Sequence, residues 1–236
     1  MGTAEDWVEL LASDRESLDR TSTAERVADL LRQRVLEGGL APGTRLSEES
    51  AGRALAVSRN TLREAFRLLV HERLLVHEFH RGVFVRVLSV DEVVDLYRVR
   101  RLLETGALRN SEEPAPERVA DLGRAVDEGE RAARDREWHE VGTANMRFHQ
   151  SVAALAGSPR VDETMRQLLA ELRLAFHVMP GLREFHEPYL ENNRRIAELV
   201  GAGHRVEAAS RLDEYLDAAE TQLLAEYRRF PGEAHR

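Results

Sequence analysis

Apolar residues recur at helical spacing along most of this chain, and the exceptions mark its organisation. Residues 23–38, TAERVADLLRQRVLEG, place Val27, Leu30, Leu31 and Val35 on one helical face. Thr23 reads as the N-cap and Gly38-Gly39 as the stop. Ala41-Pro42-Gly43-Thr44 signals a turn. A short helix fits Glu48 to Leu55, and a second runs from Arg59 to about Glu72 with Ser58 as N-cap and Leu62, Ala65, Phe66 and Leu69 inward. Only Ala56-Val57 separates them, the short turn that a helix-turn-helix needs. Leu74-Leu75-Val76 and Val83 to Val87 then read as two strands turning at Arg81-Gly82, which makes a two-stranded wing.

From Ser89 onward the pattern is helical throughout. Ser89-Val90-Asp91-Glu92 matches a capping box, and the helix it opens runs to about Asn110 before Pro114-Ala115-Pro116 breaks it. Further helices fit about 116–132, 136–156, 160–178, 187–202 and 205–229. The stripe Val161, Met165, Leu168, Leu169, Leu172 and Phe176 reads as packing core. In residues 1–22, Trp7, Leu10 and Leu11 are too few to build more than a short or loosely ordered extension. The expected protein is mainly α. It has an N-terminal extension (1–22), a winged helix-turn-helix (23–88), an all-helical bundle (89–230) and a short tail (231–236).

Composition narrows the chemistry. No apolar run reaches the ~18 residues of a membrane span, and the acidic N-terminus does not read as a signal peptide. Cysteine is absent, which removes disulfides, thiolate metal sites and cysteine nucleophiles. All 34 basic residues are arginine, which removes Schiff-base chemistry and lysine-dependent phosphate loops. With no paired-histidine motif either, an enzyme is not expected. The net charge is −8, yet residues 23–88 carry eleven arginines against eight acids, a local excess of +3. A positive segment on an acidic chain fits one domain that meets phosphates and another that does not.

The candidate recognition helix begins Ser58-Arg59-Asn60-Thr61-Leu62-Arg63. Arginine grips guanine bidentately and asparagine reads adenine in the major groove. Ser58 and Thr61 can reach phosphates, where a helix N-terminus already favours anions. At the wing, His80 and Arg81 offer cations, and Gly82 lets backbone approach the duplex closely.

The run LAPGTRLSEESAGRALAVSRNTLREAFRLLVHERLL (40–75) resembles the N-terminal domain of the GntR family of bacterial regulators, through Pro42-Gly43, Leu46-Ser47-Glu48, Val57-Ser58-Arg59 and Arg63-Glu64-Ala65. The helical remainder resembles the FCD effector domain of the FadR-like subfamily. The resemblance implies a cytoplasmic homodimer that binds a short palindrome on double-stranded DNA, commonly as a repressor. A small organic acid then releases it. It also implies DNA contacts from Arg45, Arg59, Asn60, Thr61, Arg63, Arg81 and Gly82. Glu49 departs from the pattern, standing where many members carry a DNA-contacting arginine, and Ala51-Gly52 replaces a usual Leu-Ala pair.

Many FCD domains hold a divalent metal through an acidic or amide residue and a histidine four apart, plus two histidines on the last two helices. Asn145 and His149 match the first pair and share a helix face. The other two positions fall at Asn193 and Tyr215, so one imidazole of three remains and no metal is expected; if one binds, Asn145 and His149 are its ligands. The same four side chains are expected to line an effector pocket. Arg100 resembles the arginine that family members aim at a carboxylate, and it also stands four residues before Glu104. Two readings stay beside this one: a metal-dependent regulator, and a dimeric DNA-binding protein with no ligand. The remaining histidines, His139, His177, His186 and His204, read as solvated or satisfied surface groups.

Overall fold

The computed structural model of the chain describes residues 22–110, 114–177 and 181–228. The expected N-terminal extension, with Trp7, Leu10 and Leu11, and the tail at 231–236 lie outside the described residues. The chain divides into two compact units, one ending at Val85 and the other beginning at Arg86.

The first unit opens with α1 (Thr23–Leu36). Its cap is Ser22 rather than Thr23. The Ser22 hydroxyl accepts from the Glu25 amide at 3.1 Å, while the Glu25 carboxylate accepts from the Ser22 amide at 2.7 Å. Serine with a glutamate three residues on completes both halves of a capping box, and Thr23 has no such partner. There follow β1 (Arg45–Leu46), α2 (Glu48–Leu55), α3 (Arg59–His71), β2 (Leu75–Glu78) and β3 (Gly82–Val85). The two wing strands are present, and β1 joins them in an antiparallel sheet of order β1-β3-β2. Arg45 pairs with Phe84 and Leu46 with Val83. Two residues are too short to show a period-2 pattern, so β1 carries no periodicity signal in the sequence.

Helices α2 and α3 meet closely. A Cβ on Gly52 would stand 3.2 Å from both Leu62 Cδ1 and the Val57 carbonyl oxygen. Glycine in the Ala51-Gly52 pair thus brings the supporting helix against the recognition helix. Ala56 ends α2 in the left-handed conformation, at φ 52°. That turn redirects the chain into Ser58, which caps α3 by accepting from the Thr61 amide at 3.1 Å.

The second unit comprises α4 (Val90–Asn110), α5 (Pro116–Arg134), α6 (Trp138–Ala154), α7 (Pro159–Phe176), α8 (Leu182–Gly201) and α9 (Arg205–Tyr227). Helix α6 touches α4, α5, α7 and α8, so it forms the axis of the bundle. Helix α8 starts five residues before the expected 187, because Pro188 lies inside it rather than at its start. Proline lacks the N–H that would bond the carbonyl four residues back. That carbonyl, Glu184 O, instead accepts from the Gln222 side-chain amide of α9 at 3.1 Å. Gln222 Oε1 in turn accepts from the Tyr189 hydroxyl at 2.6 Å. A side chain from a neighbouring helix thereby repairs the break.

Candidate functional site

In the first unit, α3 buries Leu62, Ala65, Phe66 and Leu69 and turns Arg59, Asn60 and Arg63 outward. Ser58 and Thr61 face each other, with their hydroxyls 2.8 Å apart. Arg63 is not loose. Its Nε lies 3.1 and 3.0 Å from the two carboxylate oxygens of Glu48 on α2. Among the described residues Arg45 and Arg59 carry no ion pair, which leaves both cations to solvent or phosphate.

The wing turn spans 79–81, with His80 left-handed at φ 62° and Gly82 at φ 112°. That last angle lies in a region glycine tolerates and other residues resist. A Cβ on Gly82 would stand 3.4 Å from Arg45 Nε, so the Arg45 side chain runs along the wing. Arg81 bonds Glu78 at 2.5 Å and lies 5.4 Å from the Phe84 ring. Phe79, at the tip, is 80% exposed and stacks against His80. The sequence reading passed over Glu48 and Phe79. Nothing local marks Glu48, but an aromatic residue in a turn between two strands is a visible signal.

In the second unit, all five expected effector residues come together in one buried network. Arg100 Nε donates to Glu104 Oε1 at 2.9 Å, and Glu104 Oε2 lies 2.6 Å from His149 Nδ1. His149 Nε2 lies 3.0 Å from the Tyr215 hydroxyl, which is 3.1 Å from Asn145 Oδ1. Asn193 Nδ2 donates to the same Asn145 oxygen at 2.8 Å. Glu104 is thus the hinge of the network. Sequence spacing showed its bond to Arg100 but not its bond to His149, 45 residues away. Arg101, one residue on, leaves the network and pairs with Asp213, Asp217 and Glu220 on α9.

The electrostatics follow from burial and pairing. Burial would raise the Glu104 carboxyl, but the His149 and Arg100 groups beside it hold it below its ordinary value. Burial lowers His149, reinforced by Arg100 and opposed by Glu104, so the imidazole is neutral with its proton on Nδ1. Tyr215, raised by burial, keeps its proton. That single hydroxyl proton faces two acceptors, His149 Nε2 and Asn145 Oδ1. With neutral His149 that one proton can satisfy only one of the two, so either His149 Nε2 or Asn145 Oδ1 goes without it. An imidazolium would let His149 donate to Tyr215 and Tyr215 donate to Asn145. The resting network is therefore one proton short of full pairing.

The donor set does not fit a transition metal. One imidazole is present, both of its nitrogens are engaged, and an amide and a phenol complete the set. Among the described residues no cluster of three histidine or acidic side chains stands at ligating distance. Glu104 on Nδ1 is the partner that commonly orients a metal-binding histidine, yet at Nε2 the Tyr215 hydroxyl takes the place a metal would need.

The network leaves little room. Beside Asn145 and Asn193 lies a cavity of about 10 Å³, also lined by Gly129, Val141 and His186, the space of about one water. Three buried atoms around it or in the network lack partners: Arg100 Nη2, Asn193 Oδ1 and His186 Nδ1. His186 is 3% exposed, so the expectation of a solvated or satisfied surface histidine is corrected for this residue. It shares an inward stripe of α8 with Tyr189, Asn193 and Ile196. His139 and His204 are exposed and His177 is half-buried.

The fold and these two sites define a DNA-binding regulator with a helical sensor. Comparison with known proteins agrees. Residues 23–85 match the bacterial regulatory proteins of the gntR family, and residues 95–218 match the FCD domain. The chain belongs to the GntR family of transcriptional regulators, in the branch with an FCD domain, and not to an enzyme family. It is 31% identical to the gluconate operon transcriptional repressor of Bacillus licheniformis, over 57% of this chain and 56% of that one. The match thus spans little more than half of that relative. It is 31% identical to the HTH-type transcriptional regulator BphR of Paraburkholderia xenovorans, over 72% of this chain and 74% of that one. The crystal structure of a GntR transcriptional regulator from Rhodococcus sp. RHA1 superposes with a TM-score of 0.81 at 42% identity, covering 87% of this chain and 99% of that one. No helix among the described residues is long and apolar enough to cross a membrane.

Proposed function

We propose that the protein is a cytoplasmic, homodimeric repressor that binds a palindromic operator and releases it when a small carboxylate-bearing molecule enters the helical unit. Arg59, Asn60 and Arg63 read bases from the start of α3. Ser58 and Thr61 hold phosphate at its N-terminus. Arg45, His80, Arg81 and Gly82 engage the backbone and minor groove from the sheet side. The observation that carries the effector reading is Arg100, a fully buried guanidinium whose Nη2 has no partner. An unpaired buried donor is costly, and a ligand carboxylate would satisfy it. Asn145, His149, Asn193 and Tyr215 supply the donors and acceptors for the rest of the ligand. Two relatives named for the gluconate operon and for D-xylose utilization support a role in carbon catabolism.

The test is a gel-shift with the full chain on DNA from its own upstream region, followed by titration with small organic acids, gluconate included. Specific binding at moderate salt that an acid weakens is the expected result. Absence of specific binding over any upstream palindrome sinks the repressor reading. The tightness of the network favours one second reading, a dimeric DNA-binding protein without effector. Under it, no acid in the titration changes operator affinity.

A further inference from the structure

A second cluster of cationic and imidazole groups lies in the helical unit, outside the Arg100 network. Arg173 of α7 is nearly buried. Its Nη2 lies 3.2 Å from His139 Nδ1 and 3.2 Å from the Thr143 hydroxyl. These groups border a recess of about 20 Å³ lined by Trp138, His139, Gly142, Arg173, Phe176, His177, Leu182 and His186. His139 is exposed and Trp138, His177 and Leu182 are half-buried, so the recess reaches solvent.

Four observations point the same way. Helices α6 and α8 both begin at this recess, with Trp138 and Leu182 as their first residues, and neither start has a side-chain cap. Two helix N-termini therefore converge there, each with one acid in its first turn, Glu140 and Glu184. His186 lines both this recess and the small cavity beside Asn145 and Asn193, and its buried Nδ1 has no partner. Gly142 lets the His186 and Arg173 side chains approach α6 closely. A Cβ there would stand 2.8 Å from His186 Nε2 and 3.1 Å from Arg173 Nη1. Finally, burial lowers the Arg173 guanidinium against a smaller opposing effect of the Glu140 charge.

We infer that this recess is a second ligand site, specific for a small oxyanion group, carboxylate or phosphate, held by Arg173, His139 and the starts of α6 and α8. The aromatic rim of Trp138 and Phe176 would flank whatever carries the anion. The site is distinct from the Arg100 network, and its occupant contacts α6 at Gly142, on the same helix face as Asn145 and His149 and one to two turns before them.

The test is a thermal-shift titration of the full chain with sodium phosphate and, separately, sodium acetate, at ionic strength held constant with sodium chloride. A saturable rise in Tm with either anion is expected, and the two arms tell phosphate from carboxylate. Arg173→Gln should weaken that binding about tenfold or more. Gly142→Ala, whose methyl would displace His186 and Arg173, and His139→Gln, an exposed substitution that keeps the fold, should each weaken it too. A rise no larger than that produced by chloride, or saturation unchanged in His139→Gln and Gly142→Ala, overturns the assignment. The gel-shift outcome for the Arg100 site does not bear on either result.

Discussion

Glu104 Oε2 and His149 Nδ1 meet 2.6 Å apart in the interior of the helical unit, with both side chains closed off from solvent. Glu104 is also the counter-charge of Arg100, at 2.9 Å. A buried ion pair adds little over an apolar pair of the same volume, but removing one partner strands the other. Glu104→Gln should therefore destabilise the helical unit by about 3–5 kcal/mol. Urea unfolding followed by circular dichroism measures it. A loss below about 1 kcal/mol would show that Arg100 is not held as described.

The side chains at the centre of the helical unit lack only imidazoles to bind a metal. Asn193 and Tyr215 converge on Asn145 and His149 without supplying imidazole. Asn193→His combined with Tyr215→His should create a site for about one zinc ion per chain. Elemental analysis and zinc-dependent Tm check it, with the native protein measured alongside. Stoichiometric metal in the native protein would refute the reading of the donor set.

His186 sets a pH dependence. Burial, with Arg173 and His139 adding to it, takes its pKa from 6.5 down to about 4. Between those values the unfolded imidazole binds a proton that the folded one refuses. Stability is therefore complete above pH 6.5 and falls as the pH drops toward 4, by roughly 3 kcal/mol across the window. His149, also lowered by burial, acts with the same sign. His186→Leu should flatten the profile measured by denaturant midpoints between pH 7 and 4.5. A profile identical to that of the native chain would count against a buried neutral His186.

On the DNA side, Glu48 restrains Arg63 through both of its oxygens. Glu48→Gln should release that arginine, raise affinity for arbitrary duplex and steepen the salt dependence by up to about one unit of slope. Fluorescence anisotropy across a salt series reads both quantities. Unchanged slope would mean that Arg63 already meets phosphate in the complex.

Arg59 and Arg45 should separate by role. Arg59→Ala should relax base preference at one position, at a cost of about 1–3 kcal/mol for the preferred site. Arg45→Ala should lower affinity evenly across sequences and flatten the salt slope. Equal effects from the two variants would contradict the assignment.

How far the sequence reached depended on whether a feature is local. The recognition helix, its Ser58 cap and the inward Leu62, Ala65, Phe66 and Leu69 follow from spacing alone, and the structure has all of them. The five residues that likeness to a family marks as expected effector contacts converge in one network. What escaped was long-range or compensatory. Glu104 reaches His149 across 45 positions, and Gln222 rescues a carbonyl 38 positions away. The helix expected from about 187 begins at Leu182, and the residue that makes Pro188 tolerable inside it, Gln222, is on another helix. His186 looked superficial because one histidine on an amphipathic helix carries no sign of which face it joins.

Pro188 has a mechanical consequence. It divides α8 into a lead of six residues, Leu182 to Glu187, and a body that continues to Gly201. At the joint the usual N–H bond is replaced by the Gln222 amide. The lead is thus tied to the body by one backbone bond fewer than elsewhere in the helix, with the Gln222 bond in its place. The lead carries Phe185 and His186. Amide hydrogens there should exchange with solvent faster than those of the body, and Gln222→Ala should widen that gap. The bundle therefore has a weaker joint built into one of its helices, beside the two small spaces that His186 lines.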